Sequence, residues 1–214
     1  MSTQASELPG SFHDIVLPSF GGYAAETSTL VGVSFWPRAA ARVIDMVVHY
    51  IIGYATGSLF GLMLLVASGG HVPRLILIRL RHPGLTGFVL GVLGFVAYHV
   101  IFTTVHGSTL GKRILSMVVV QEDGSPCRLK SAVVREFAYF VDGLFFGIIG
   151  YMAMQESAQE QRHGDNWAHT IVCKPEVVAA DNLRGAGRFV LAMMFAIMAD
   201  AAFILISRLL LIMS

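Results

Sequence analysis

Residues 43–67 of the chain read VIDMVVHYIIGYATGSLFGLMLLVA, an apolar run of 25 residues with one carboxylate and one histidine near its start. About 20 consecutive apolar residues are enough for a helix to cross the hydrocarbon core of a bilayer. The run therefore predicts a membrane-spanning helix. Three glycines recur at every fourth residue and share one helix face, which favours close packing against a second helix in lipid. They are Gly53, Gly57 and Gly61.

Three more apolar runs follow, at residues 85–105, 132–154 and 188–213. The second and fourth runs are long enough to span a bilayer, whereas the third is interrupted by an arginine and two acidic residues. Charged residues make up only 14% of the 214 residues, against about a quarter in soluble domains. This composition excludes a soluble globular domain, a disordered chain and a basic nucleic-acid-binding domain. We predict an all-α membrane protein, a small bundle of three to four transmembrane helices in a lipid bilayer.

The distribution of Lys and Arg tests the topology of these runs. If all four runs cross the membrane, the basic residues outside them divide six to seven between the two sides. If the third run instead dips in and returns, the division is ten to three, which the positive-inside rule favours. The third run is then re-entrant or interfacial and the N-terminus cytoplasmic, in a bacterial inner membrane. A plain four-span bundle is the alternative.

The chain is predicted to divide into a tail, a membrane domain and a C-terminal segment. Residues 1–34 contain no Lys or Arg and no long apolar stretch, so they do not fit a signal peptide and predict a disordered tail. Residues 35–175 form the predicted membrane domain, and residues 176–214 a linker with the last helix. Between the first two runs, three arginines are expected in the headgroup layer. These are Arg74, Arg79 and Arg81.

Two short segments after the second run are rich in β-branched residues. Met117–Val120 precedes Asp123-Gly124, a dipeptide typical of hairpin turns, so the sequence predicts a short cytoplasmic β-hairpin. Thr170–Cys173 is a second candidate strand. The ten-to-three topology places both segments on one side of the membrane and lets them pair.

A charged stripe follows one face of the first helix. Arg38, Arg42, Asp45 and His49 are spaced by four, three and four residues. Both arginines lie at the membrane edge, where their stems can reach the headgroup layer. A carboxylate inside the bilayer is costly unless it is paired. We therefore expect either a structural ion pair between Asp45 and an arginine of its own helix, or a carboxylate that binds a cation or a proton.

The third run repeats this pattern, since Arg135, Tyr139 and Asp142 lie on one helix face at spacings of four and three. Two helices that each carry an arginine and an aspartate predict an interlocked polar core. Asp200, inside the fourth run, has no arginine within one turn. Its partner is expected on another helix, and Arg135 is the candidate.

No motif points to catalysis. The segment Gly107-Ser-Thr-Leu-Gly111-Lys112-Arg113 differs from a phosphate-binding loop, because only three residues separate its glycines and no Ser or Thr follows its lysine. The histidines and the aspartate after the third run match no metal motif, and no catalytic signature is present. We therefore expect no enzyme activity, no cofactor and no bound metal. The two cysteines are predicted to be free thiols, with a single bridge between two loops as the alternative.

Three blocks in order resemble the RDD family of membrane proteins. They read FWPRAAARVID at 35–45, GSTLGKR at 107–113 and QRHGDNWAHTIV at 161–172. Family members usually carry a histidine directly before the second aspartate, whereas here Gly164 takes that place and His163 is shifted by one. The resemblance covers residues 35–175 and implies an arginine and two aspartates near one membrane face. These are Arg38, Asp45 and Asp165.

The resemblance implies transport of an unidentified ligand, and some members are similar to monovalent cation/proton antiporters. Under this hypothesis Asp45 binds the cation or proton, and Arg38 favours its charged form. The alternative is a scaffold without transport, in which the Arg–Asp pairs are structural. Either hypothesis admits a homo-oligomer or a membrane partner protein, and neither involves nucleic acid. The candidate residues are Arg38, Arg42, Asp45, His49, Arg135, Asp142 and Asp165, with Gly107, Gly111 and Lys112 of the glycine–lysine block.

Overall fold

A computed structural model of the chain describes residues 30–72, 74, 76 and 84–213. The predicted tail falls almost wholly outside these residues, as do two of the three arginines expected in the headgroup layer. Two short strands are present, β1 (Val118–Gln121) and β2 (Thr170–Cys173). The helices are α1 (Phe35–Ala67), α2 (Gly84–Val105), α3 (Leu110–Ile114), α4 (Leu129–Asp142), α5 (Leu144–Glu156), α6 (His163–Trp167) and α7 (Ala186–Met213).

Within the described part of the chain, three helices, α1, α2 and α7, are long and apolar enough to cross a membrane. The prediction of an all-α membrane protein is thereby confirmed. The helices α2 and α7 begin within two residues of the predicted runs, whereas α1 begins eight residues earlier, at Phe35. The eight added residues include Arg38 and Arg42, whose side chains form ion pairs with Asp165 and Glu136. The contact between α2 and α7 is close because Ala192 and Ala196 are buried against Tyr98 and Phe102.

The third apolar run is broken. Its two halves, Leu129–Asp142 and Gly147–Glu156, are bent by 110° relative to each other. The backbone takes positive φ at Phe145 and Gly147, which interrupts the regular helical conformation between the halves. The pair adds a fourth crossing only if it is one broken span. Otherwise it enters the bilayer and returns, as the charge count predicts.

Both predicted strands are present and pair antiparallel with each other. The turn at Gly124 forms with φ +77°, but the returning chain makes only one further bridge, between Val120 and Pro126. It makes no longer hairpin arm because α4 begins at Leu129. The register pairs Val118 with Cys173, Val119 with Val172, Val120 with Ile171 and Gln121 with Thr170.

The sheet has a small apolar core on each face. The segment before α1 packs on the sheet. Leu30 lies in one of the two cores, and the Val33 amide donates to the Val172 carbonyl at 2.8 Å. Cys127 and Cys173 are buried in these cores as free thiols, as the sequence predicted. The sheet therefore holds the start of α1 against segments that come much later in the chain.

Candidate functional site

Asp165 of α6 is the centre of a buried ion cluster. Its carboxylate oxygens lie 2.5 Å from Arg38 Nη1, 3.0 Å from Arg135 Nη2 and 3.5 Å from Arg162 Nη2. Its side chain has no exposed surface. Burial raises the pKa of Asp165, but Arg135, Arg162 and Arg38 outweigh that effect and hold the pKa well below its usual range. We call these four residues the Asp165 cluster.

Arg38 uses its remaining donors on backbone carbonyls. Its Nε donates to Val33 O at 2.6 Å, and its Nη2 donates to Glu160 O at 2.7 Å. The first turn of α1 is thus joined to the segment before it and to the loop before α6. A guanidinium bonded in this way joins three parts of the chain.

Asp45, one of the two motif aspartates, forms a second buried centre. Its Oδ1 accepts from the Tyr98 hydroxyl at 3.0 Å and from the Gly111 amide at 2.8 Å. Its Oδ2 accepts from the Thr109 hydroxyl at 2.6 Å and lies 3.4 Å from His99 Nε2. We call these five residues the Asp45 cluster. The glycine–lysine block therefore docks on α1 through this carboxylate.

His99 faces Asp45 with a ring nitrogen, Nε2, that has no hydrogen-bond partner among the described residues. The Nδ1 atom of His99 lies 2.9 Å from the carbonyl oxygen of Phe95, which can only accept, so Nδ1 carries a hydrogen. In a neutral ring Nε2 then has a lone pair and would face the Asp45 carboxylate oxygen at 3.4 Å, acceptor against acceptor. The contact is favourable only when one proton resides on either group.

Gly111 is required by the close approach of α3 to α1. A Cβ atom at this position would lie 2.1 Å from the carbonyl oxygen of Ala41 and 3.1 Å from Asp45 Cγ. Gly107 has a φ of +86°, which other residues rarely adopt. Burial lowers the pKa of Lys112 to about 8, and the charge of Arg135 acts in the same direction. The two glycines thus allow the glycine–lysine block to pack on α1.

The expected ion pair between Asp45 and an arginine of its own helix does not form among the described residues. Arg38 pairs with Asp165, and Arg42 donates to Glu136 Oε2 at 2.9 Å. The reason is that the stripe on α1 faces different elements along its length, with α6 near its start and α3 farther in. The Arg42 guanidinium also lies 4.0 Å from the ring centre of Tyr139, a cation–π contact.

Asp142 acts at the junction between α4 and α6. It lies 3.2 Å from His163 Nδ1 and accepts from the Gly164 amide at 3.1 Å. A Cβ atom on Gly164 would lie 2.8 Å from Ala138 Cβ, so a larger residue at this position would separate the two helices. This explains the glycine where the resembled family usually carries histidine.

A third centre lies deeper among the spanning helices and consists of His49 and Asp200. His49 Nδ1 is 3.4 Å from Asp200 Oδ2, so the partner of Asp200 is His49 and the expected partner, Arg135, belongs to the Asp165 cluster. Asp200 is 1% exposed, and within the described residues neither of its carboxylate oxygens has a hydrogen-bond partner. Gly94 permits the contact, since a Cβ there would lie 2.6 Å from Asp200 Oδ1. We call this the His49–Asp200 pair.

The space between the Asp165 and Asp45 clusters is almost filled by side chains. It holds a cavity of about 20 Å³, enough for roughly one water molecule. Among the described residues, no group of three or more His, Cys, Asp or Glu side chains is arranged to hold a metal ion. The cavity is lined by Arg38, Arg42, Asp45, Lys112, Glu136, Tyr139, Arg162 and Val172.

Comparisons with known proteins cover most of this arrangement. The model of the RDD family matches residues 33–169, which include both motif aspartates but not α7. The chain is also 27% identical over 150 residues to the uncharacterized protein YxaI of Bacillus subtilis (strain 168). That match covers 67% of this chain and 95% of YxaI. No solved structure matches.

Proposed function

This chain belongs to the RDD family, and from that premise we propose that it moves protons or a monovalent cation across the membrane by way of the His49–Asp200 pair. The observation that carries the proposal is the buried carboxylate of Asp200, which lies among three spanning helices. Neither of its oxygens has a hydrogen-bond partner in the described part of the chain. Such a group is stabilised when it takes up a proton or a small cation.

The depth of the pair supports this role. Asp200 lies fourteen residues after the start of α7, and His49 lies fourteen residues after the start of α1. At 1.5 Å of rise per residue, His49 is roughly 9 Å and Asp200 roughly 18 Å into apolar runs that are long enough to cross the hydrocarbon core. A charged group at the bilayer centre costs about 2.5–3.5 kcal/mol on insertion scales, so a carboxylate kept there is a functional candidate by default.

A second histidine connects this pair to the polar end of the bundle. The ring of Phe95 lies between the two histidines, 5.1 Å from His49 and 4.4 Å from His99, measured between ring centres. His99 Nε2 in turn lies 3.4 Å from Asp45 Oδ2. Two carboxylate–histidine pairs therefore follow each other into the membrane, and the proposed route requires Phe95 to move aside between them.

This proposal reassigns the binding group. Asp45 accepts hydrogen bonds on both oxygens and Asp165 is paired with arginines, so these residues are given structural roles. We also propose that the N-terminus is cytoplasmic, that the protein lies in a bacterial inner membrane and that it forms a homo-oligomer. The ten-to-three distribution of basic residues supports the orientation. The small number of spans supports an oligomer, because alternating access needs helices that move against each other.

The test is proton flux in liposomes that contain the purified full-length chain. A gradient of Na⁺ or K⁺ is imposed, and an internal dye reports the pH. We expect cation-dependent flux in the wild type and its loss in Asp200→Asn, because the amide keeps the size of the side chain but cannot carry the proton. Asp181→Asn, at an exposed residue outside the spanning helices, is the matched control. Full flux in a folded Asp200→Asn protein would exclude Asp200 as the binding group.

A membrane scaffold is the second candidate, and it is favoured by the contacts that join the two motif aspartates to distant segments. In that case the Asp45 and Asp165 clusters only hold the sheet of β1 and β2 against the helices. Wild-type liposomes would then show no more flux than empty ones at any cation gradient. Asp200→Asn would leave the abundance of the protein in membranes unchanged, whereas Asp165→Asn would lower it.

A further inference from the structure

A basic cavity of about 330 Å³ opens where α2 ends and α7 begins, separate from the His49–Asp200 pair. Three of the residues that line it carry basic side chains, namely His106, Arg113 and Arg184. Leu183 and Met117 contribute apolar surface. Among the described residues, no Asp or Glu lines this cavity. The charged side chains that line the cavity, those of Arg113 and Arg184, are therefore both positive, and no carboxylate of the lining neutralises them.

His106 offers a donor that has no acceptor. The residue is 6% exposed, and its Nε2 lies 3.0 Å from Arg113 Nη1. A guanidinium only donates hydrogen bonds, so Nε2 accepts and the hydrogen of the neutral ring is on Nδ1. Within the described residues Nδ1 has no hydrogen-bond partner. Burial, together with Arg113 and Arg184, lowers the pKa of His106 to about 4, which keeps the ring neutral at pH 7.

Arg184 also has an N–H group without an acceptor. Its Nη1 donates to the carbonyl oxygen of Thr104, and its Nε is buried with no acceptor among the described residues. The Arg113 guanidinium lies 4.7 Å from the ring centre of Phe189, a contact that holds its plane beside the cavity. Arg184 Nε and His106 Nδ1 thus have no acceptor among the described residues and lie at the same cavity as the Arg113 guanidinium. A phosphate group has the charge and the several oxygens that suit these donors.

We propose that this cavity binds the phosphate of an anionic lipid headgroup. The source follows from position, since the cavity lies at the ends of two spanning helices, where headgroups are concentrated. Phe189, one residue of the first turn of α7, lies beside His106 with 5.0 Å between ring centres, so apolar surface continues from the cavity towards the hydrocarbon. The site is independent of the proposed transport, because it shares no residue with the His49–Asp200 pair.

The test is lipid binding by the full-length chain in phosphatidylcholine nanodiscs, with native mass spectrometry as the readout. Phosphatidylglycerol is the probe, and inorganic phosphate in excess is the competitor. We expect the double variant Arg113→Gln/Arg184→Gln to bind phosphatidylglycerol about 10-fold or more weakly than the wild type. The matched control, Arg128→Gln/Lys130→Gln, removes the same charge from exposed residues elsewhere and should keep the wild-type affinity.

Three results would overturn the proposal. The first is a wild type that binds phosphatidylglycerol no better than phosphatidylcholine. The second is an equal loss in both double variants, which would indicate general attraction to the basic surface. The third is displacement of the lipid by inorganic phosphate at similar affinity, which would assign the site to free phosphate. Arg113→Gln alone keeps the test interpretable if the double variant is unstable, because Arg113 is exposed and its replacement leaves the core intact.

Discussion

Replacing Gly111 with alanine should push α3 away from α1. The added Cβ would lie 2.1 Å from Ala41 O, whereas an ordinary contact begins near 3.4 Å, so α3 must retreat by more than 1 Å. That movement lengthens the hydrogen bond from the Gly111 amide to Asp45 Oδ1, which is 2.8 Å in the wild type. It also strains the 2.6 Å bond between Thr109 and the same carboxylate.

The expected cost has two parts. Forcing an extra methyl group into a packed contact costs about 1–3 kcal/mol. Losing a hydrogen bond to a charged group costs about 1.5–3 kcal/mol more. A destabilisation of about 2.5–6 kcal/mol follows. It lowers the melting temperature by roughly 5–24 °C for a chain of this length.

Thermal unfolding of the purified protein in detergent measures this effect. Gly61→Ala is the matched control, because nothing lies within 4 Å of a Cβ atom at that position of α1. Its melting temperature should equal that of the wild type or exceed it slightly, since alanine is the better helix former. If Gly111→Ala melts together with Gly61→Ala, α3 does not pack on α1 as described.

Two further predictions concern the buried charges. Asp165→Asn leaves three arginines around a neutral amide and should destabilise the fold by about 3–5 kcal/mol in thermal or denaturant unfolding, while the exposed Asp181→Asn should have no effect. Because its folded pKa is depressed, Asp165 stabilises the protein above about pH 4 and loses that contribution as the pH falls further; an acid unfolding curve unchanged in Asp165→Asn would contradict this. For Lys112 the folded pKa of about 8 lies below the usual lysine value of 10.5, so the unfolded state binds more protons between these values and stability rises with pH across that window. Lys112→Met should lose this rise when melting temperatures are compared with the wild type from pH 7 to pH 11, and equal pH slopes would refute it.

The spanning helices were predictable because their signal is local. Hydropathy over about 20 residues locates α2 and α7 within two residues of their starts. The spacing of charged residues likewise identified the members of the polar core, since residues three and four apart share a helix face. These features need no knowledge of what lies across from them.

The partners of those residues were not predictable, because they come from distant segments. Spacing suggested that Asp45 pairs with an arginine of α1, yet its donors come from α2 and from the block before β1. Arg162 joins the Asp165 cluster from the N-cap of a five-residue helix that has no periodic signal. The His49–Asp200 pair was not predictable from depth either, because His49 lies six residues into its predicted run and Asp200 twelve residues into its own. Their equal distance from the helix starts follows only from the structure, in which α1 begins at Phe35.

The distance along the chain between Arg38 and Asp165 has a consequence for biosynthesis. The two residues are 127 positions apart. At roughly 5–20 residues per second of translation, Arg38 is made about 6–25 s before its carboxylate. Insertion of α1 therefore depends on its apolar length alone, and the ion cluster forms only after the ribosome has passed α6. A nascent chain that stops before that point leaves the Arg38 guanidinium without the Asp165 carboxylate.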